Sequence, residues 1–202
     1  MVGKVFLESA MAKYQAQKDL AQRAIVQLSD EQLHQPLDEN TNSVAIIMKH
    51  MVGNMMSRWT DFLTTDGEKQ WRHRDSEFVD DFHSRDDLMA FWQQGWDCLF
   101  STLNTLTVND LTRAVRIRGE PHNVIEAIHR ELDHYGYHVG QIVLVARVLA
   151  KDNWTTLTIP RGGSEEYNRQ LWPPCGPYGI MLVAYWPKAL GEEWQRTEYR
   201  RA

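Results

Sequence analysis

Two histidines, His134 and His138, lie four residues apart within a long helical pattern. Residues at this spacing lie one turn apart on the same side of an α-helix, so both imidazoles can approach one small ion. Neutral imidazole is the commonest protein ligand for zinc and related divalent metals. The pair therefore supplies two ligands of a three-histidine site. His50, in a separate Met-rich segment, is the candidate for the third ligand.

The positions of these histidines on a helical wheel differ. His134 and His138 fall on the flank of their helix's apolar stripe, where a bundle helix faces a crevice that a small molecule can reach. His50 points almost opposite the methionines of its own helix, although Ile46 and Ile47 keep that side partly apolar. Judged alone, His50 is therefore predicted to be a surface residue.

Two other pairings compete for a metal. Glu126 with His129, and Glu31 with His34, both match the Glu-x-x-His motif of di-iron helical bundles. Such a site also needs one inward glutamate from each of two further helices, and the early position of Glu31 after Ser29 is explained by helix capping. The three-histidine hypothesis is therefore preferred. The remaining histidines are predicted to be solvated: His73, His83 and His122.

The elements that must position these residues are helical. Apolar residues recur at gaps of three and four in four long segments. These segments are roughly residues 6–28, 43–65, 84–106 and 121–151. Pro121 suits the first position of the last helix, and the alternating text between Leu111 and Glu120 indicates a short strand or hairpin. The pattern predicts an all-α fold, a four-helix bundle, over residues 1–170. The tail, residues 171–202, has no assigned role, and Ile180 to Tyr185 within it is a candidate strand.

Composition restricts the class of protein. The 202 residues suit one domain, and a net charge of −5 disfavours nucleic acid as a partner. No stretch approaches the roughly 18 uninterrupted apolar residues of a membrane span, and no export signal precedes the first helix. Cys98 and Cys175 are too few for a disulfide framework. We therefore expect a cytoplasmic protein. Four tryptophans in the middle third of the chain are predicted to fill a helical core, with a cluster that also lines a pocket as the alternative: Trp59, Trp71, Trp92 and Trp96.

Several short motifs together resemble the DinB-like superfamily, most closely its branch of small uncharacterised proteins. The matching text comprises Asn42-Ser43 at a helix start, His50-Met-Val-Gly-Asn54, Ser57 to Phe62, Asp66-Gly-Glu68, Trp71-Arg72, His134 to Ile142, and Ile159 to Gly162. The resemblance covers roughly residues 5 to 170. It implies a four-helix bundle that holds a metal, usually zinc or nickel, through three histidines. Carried over to this sequence, they are His50, His134 and His138.

The resemblance also implies a chemistry. Relatives in this superfamily include S-transferases that use bacillithiol or mycothiol and a thiol-dependent maleylpyruvate isomerase. Three neutral ligands leave the metal's charge uncompensated and one coordination position open, and such a metal lowers the pKa of a bound thiol or water. We therefore expect a metal-dependent thiol S-transferase that joins a low-molecular-weight thiol to a small electrophile. A non-catalytic, stress-associated metal-binding protein and a metal-water hydrolase are the alternatives. We also expect a homodimer.

Overall fold

The computed structural model describes residues 1–171 and is mostly helical. The candidate strand from Ile180 to Tyr185 lies outside these residues. The helices are α1 (Val2–Ile25), α2 (Asp30–His34), α3 (Val44–Trp59), α4 (Arg85–Thr105), α5 (Val124–Ala150) and α6 (Ser164–Leu171). A two-stranded antiparallel sheet, β1 (Ala114–Ile117) and β2 (Glu120–Asn123), lies between α4 and α5. The predicted all-α class is thus confirmed broadly, with one hairpin.

Polar side chains fix where three of the four long helices begin, whereas α1 has no side-chain cap. Ser43 accepts a hydrogen bond from the backbone N–H of Ile46 and so caps α3. Ser84 caps α4 in the same way. At the start of α5, Asn123 and Glu126 each accept from the other's backbone N–H, which makes a reciprocal capping box.

Two predicted boundaries are wrong. Pro121 lies within β2, and α5 begins three residues later at Val124, because Asn123 supplies the side-chain cap that a proline cannot. The second long helix was expected to continue to about Thr65, but α3 ends at Trp59. Phe62 continues the apolar pattern from a non-helical turn, where its ring packs 4.9 Å from that of Trp59.

The chain divides into two compact units, residues 1–155 and 156–202. In the first, α1 packs against α5 and α3 packs against α4, while α3 also contacts α5. In the second, the described part contains α6. The boundary predicted near residue 170 stays a prediction, as does the four-helix-bundle arrangement. Among the described residues no helix combines the length and apolar character needed to cross a membrane.

Aromatic rings fill the core of the first unit. Trp59, Trp92 and Trp96 are fully buried, and Tyr135 of α5 lies 6.1 Å from Trp96. Trp71 does not belong to this group, because its side chain is 53% exposed in the loop after α3. The expectation of four core tryptophans is therefore wrong for Trp71.

The hairpin is attached to the loop that follows α3. Its turn residues, Arg118 and Gly119, both have positive φ, as a two-residue turn of this type requires. The carboxylate of Asp66 accepts from both of their backbone N–H groups, at 2.8 and 2.7 Å. The backbone N–H of Gly67 also donates to the carbonyl of Arg116. The loop that approaches the histidines is thus anchored at its beginning.

Candidate metal centre

Two helices bring the three predicted histidines together. His50 projects from α3, and His134 and His138 project from α5. One ring nitrogen from each residue lies within 4.8 Å of the others, and the Nε2 atoms of His134 and His138 are 3.1 Å apart. The rings of His50 and His138 meet edge to face at 4.8 Å between centroids. Within residues 1–171 this is the only such group of three or more potential ligands.

The spacing of the His134 and His138 nitrogens fits a divalent metal, and the outer hydrogen bonds of His50 and His138 leave their inner nitrogens available to it. Two nitrogens, each about 2.0–2.1 Å from one tetrahedral zinc ion, lie roughly 3.3 Å apart, close to the spacing of the His134 and His138 nitrogens. The outer nitrogen of His138, Nδ1, lies 2.8 Å from the amide oxygen of Gln141. The outer nitrogen of His50 lies 2.8 Å from a carboxylate oxygen of Glu77. Because these oxygens accept, each Nδ1 carries the proton and each Nε2 keeps its lone pair for a cation.

His50 is buried, with 7% of its surface exposed, so its prediction as a surface residue is wrong. The helical wheel considers one helix alone, whereas here the loop after α3 covers this face. Phe78 of that loop stacks on the His50 ring at 5.2 Å between centroids. On α5 the His134 side chain is 27% exposed. The cluster is therefore closed on the α3 side and reaches solvent on the α5 side.

The surroundings keep His138 neutral. Burial, and to a smaller extent the neighbouring His134 and His50, lower the pKa of its imidazole from 6.5 to about 4, although a hydrogen bond with Gln141 acts to raise it. A neutral imidazole is the form that binds metal. This site therefore favours a ligand set of uncharged nitrogens.

Glu77 is a buried carboxylate that sequence reasoning missed. It lies in a 3₁₀ turn, Arg74–Phe78, and is 5% exposed. Its oxygens accept from Nδ1 of His50 and, at 2.7 and 3.0 Å, from the guanidinium of Arg72. Burial raises the pKa of Glu77, but the hydrogen bonds from His50 and Arg72 outweigh that effect and the pKa is lowered overall. Glu77 is thus an ionised acceptor behind His50.

Glu131 is the second carboxylate that was missed. It lies on α5 one turn before His134, is 3% exposed, and faces Nδ1 of His134 at 3.5 Å. Arg58 of α3 approaches its other oxygen at 3.4 Å. A signal for Glu131 existed, because a carboxylate three residues before a candidate ligand shares its helix face. No comparable signal marked Glu77, which lies in a loop rich in charged residues.

The competing pairs do not meet in a common site. Glu126 caps α5, and its partner His129 is exposed, with its ring against Phe6. Glu31 accepts from the hydroxyl of Ser29, but the capping box of α2 is formed by Ser29 and Gln32, so the capping role expected of Glu31 belongs to Gln32. His34 lies 2.7 Å from Asp80. Of the histidines predicted to be solvated, His73 and His83 are exposed, and His122 is half-buried.

A comparison with curated proteins finds no match to this sequence. A family model matches residues 1–163, which include all three histidines and both buried carboxylates. The chain therefore belongs to the family described as "Protein of unknown function (DUF1572)".

Proposed function

We propose that the protein binds one divalent transition metal, zinc or nickel, through His50, His134 and His138. The observation that carries this proposal is the convergence of their inner nitrogens while the outer nitrogens of His50 and His138 bond to oxygen acceptors. We also propose that the four long helices form a DinB-like four-helix bundle, in keeping with the pairing of α1 with α5 and α3 with α4.

We propose further that the centre serves a thiol S-transferase acting on small electrophiles in the cytoplasm. A divalent metal held by three neutral ligands favours the thiolate form of a thiol near neutral pH. A small molecule would approach the metal from the side of Tyr137, whose side chain is 63% exposed and lies beside His138. Phe78, from the loop after α3, stacks on the ring of His50 and covers that histidine.

The carboxylates favour thiol transfer over hydrolysis. A hydrolase needs a general base that is free to take a proton from water. Glu77 is occupied by His50 and Arg72, and Glu131 lies between Arg58 and His134. Both carboxylates face an outer nitrogen, Nδ1, of a histidine and not the converging nitrogens. Neither is placed as a free base in the described part of the chain.

Metal content tests the first proposal. The purified full chain should carry close to one equivalent of a divalent transition metal by elemental analysis. His134→Ala should abolish retention, because two ligands hold zinc poorly, whereas His129→Ala removes an exposed histidine of the same helix and should change nothing. Full occupancy in a variant lacking all three site histidines would overturn the proposal.

Cobalt substitution tests the thiol. Low-molecular-weight thiols added to the cobalt protein should produce thiolate-to-metal charge-transfer absorption, which should vanish in His138→Ala and weaken as pH falls, since both thiolate and neutral imidazole are needed. Serine in place of Cys98 and Cys175 removes the protein's own thiols. A band with turnover of electrophiles supports the transferase. Absence of any band across a broad thiol panel would favour a non-catalytic metal protein.

A further inference from the structure

A continuous row of charged side chains runs behind the three histidines. It begins at His50, whose Nδ1 bonds to Glu77, and continues to Arg72, which bonds to both oxygens of that carboxylate. The remaining Nη1 of Arg72 lies 3.5 Å from Glu68. The Arg72 side chain is only 2% exposed, so water does not compete for these contacts.

The same row returns to α5. Arg58 donates to Glu68 at 3.1 Å and approaches Glu131 at 3.4 Å. Glu131 then faces Nδ1 of His134 at 3.5 Å. One sequence of alternating charges therefore begins at the outer nitrogen of one candidate ligand and ends at the outer nitrogen of another.

Unpartnered atoms concentrate on this row. Among residues 1–171, seven buried side-chain nitrogen or oxygen atoms have no hydrogen-bond partner. Four of them belong to the row: Nε of Arg58, Nη1 of Arg72, Oε2 of Glu131 and Nδ1 of His134. Each faces an opposite charge or a complementary atom at 3.4–3.5 Å, just outside a good hydrogen bond.

We propose that Glu131 is the positioning residue of His134 and Glu77 that of His50, and that Arg72, Glu68 and Arg58 join them into one buried support. The inference rests on the proposed metal binding and extends it to residues that touch no metal. A carboxylate behind an imidazole fixes its tautomer and orientation and raises its basicity as a ligand. Here the two carboxylates are also fixed relative to each other, across α3 and α5.

The charges of the support suit a cation. The three ligands are neutral, whereas the five side chains of the support are three carboxylates and two guanidinium groups and together carry one negative charge. Two further arginines reach these carboxylates from exposed positions, where solvent screens their charge: Arg118 at Glu68 and Arg130 at 3.7 Å from Glu131. Glu68, at 28% exposure, is its most accessible member and also contacts the exposed Arg118. A dication in front of this support meets compensating charge that the ligands do not supply.

The tautomer of His134 in the metal-free protein tests the positioning role without any metal. Nitrogen NMR of isotopically labelled histidine, under mildly alkaline conditions, should show Nδ1 protonated in the wild type. Glu131→Gln keeps an acceptor and should keep that tautomer, whereas Glu131→Ala should shift His134 toward the Nε2-protonated form. The same tautomer in all three proteins would overturn the role of Glu131.

Metal affinity, measured by competition with a chelator, is the second readout. Glu131→Ala and Glu77→Ala should each bind zinc about 10–100-fold more weakly, and Glu131→Gln should recover most of the loss. Asp133→Ala removes the same charge from an exposed position on α5 and should bind normally. Unchanged affinity in the two glutamate variants would overturn the inference. Absence of zinc binding in the wild type would instead overturn the proposed function, while the tautomer experiment still decides the role of Glu131.

The link between the two carboxylates is tested at Glu68. Glu68→Gln keeps the side chain's size but removes the charge shared by Arg58 and Arg72, and zinc binding should weaken about 10-fold if orientation depends on the whole support. Arg118→Ala removes only the exposed contact to Glu68 and should leave affinity unchanged. Wild-type affinity in Glu68→Gln would show that Glu77 and Glu131 act separately, which contradicts a single support.

Discussion

A methyl group added at Gly53 of α3 would overlap the carboxylate of Glu77. A Cβ at this position would overlap Oε1 of Glu77 and lie 2.6 Å from its Cδ, well inside van der Waals contact. The glutamate has little room to yield, because it is buried and bonded to both His50 and Arg72. Gly53→Ala should therefore displace the carboxylate and release the outer nitrogen of His50.

The expected change in the free energy of unfolding is the difference between two opposing effects. Replacing glycine by alanine inside a helix stabilises by about 1 kcal/mol. A hydrogen bond to a charged group contributes about 1.5–3 kcal/mol, so the loss of even one bond to Glu77 outweighs that gain. For one lost bond, the difference between these effects lowers the free energy of unfolding of Gly53→Ala by about 0.5–2 kcal/mol. Zinc affinity should fall about 10–100-fold, as for loss of a carboxylate behind a ligand histidine.

Gly140→Ala is the matched control. Gly140 lies in α5, and an added Cβ there meets nothing within 4 Å, so only the gain in helix propensity remains. Urea unfolding should show stabilisation of about 0.5–1 kcal/mol, and chelator competition should show unchanged affinity. The two substitutions are thus expected to change the free energy of unfolding in opposite directions. If Gly53→Ala is as stable as Gly140→Ala and binds zinc like the wild type, the carboxylate of Glu77 does not need the space that Gly53 leaves on α3, which refutes the reasoning.

Three further outcomes are expected. Tyr135→Phe should lower the free energy of unfolding in urea by about 1–3 kcal/mol, because it leaves the buried Trp59 N–H and the Asn54 amide oxygen unpartnered. Tyr137→Phe, at an exposed position, should change that free energy little. Hydrogen bonds from Thr107, and then from Arg113, lower the pKa of Asp110 from 3.8 to about 2. The ionised carboxylate therefore stabilises the fold fully above pH 3.8, and this stabilisation is lost as the pH falls toward 2. The free energy of unfolding of Asp110→Asn should depend less on pH across that window. We propose a homodimer, since Leu144 and Val148 are exposed on the face of α5 that carries Tyr137, and a monomer mass by light scattering at tens of micromolar would reject it.

The helices were predictable because their signals are local. Apolar residues at helical spacing and side-chain caps such as Ser43 and Ser84 lie within a few residues of the boundaries that they set. The end of α3 was not predictable in this way. Phe62 satisfies the helical pattern, yet Asp61 has a positive φ and the chain turns before it. Periodicity records which residues are buried, and a turn can bury the same residue as a helix.

The site was predictable to the extent that one helix contains it. The spacing of His134 and His138 predicted their common face. His50 was a candidate from its separate Met-rich segment, and the resemblance to a known superfamily supported that choice. The burial of His50 depends on Phe78 and Glu77, which arrive from a loop that no helical wheel includes. Long-range placement of a loop requires tertiary contacts, such as those between Asp66 and the hairpin turn. Such contacts leave no periodic trace in the sequence.

The three histidines also differ in how much chain they connect. His134 and His138 are one helical turn apart, so joining them restricts the unfolded chain very little, whereas α4 and the hairpin both lie between His50 and His134. An ion held by all three would act as a crosslink that closes a long segment and would oppose any local opening between α3 and α5. Proteases that attack such open forms would then act more slowly on the loaded protein. The supply of metal would in this way govern the protein's lifetime as well as its chemistry.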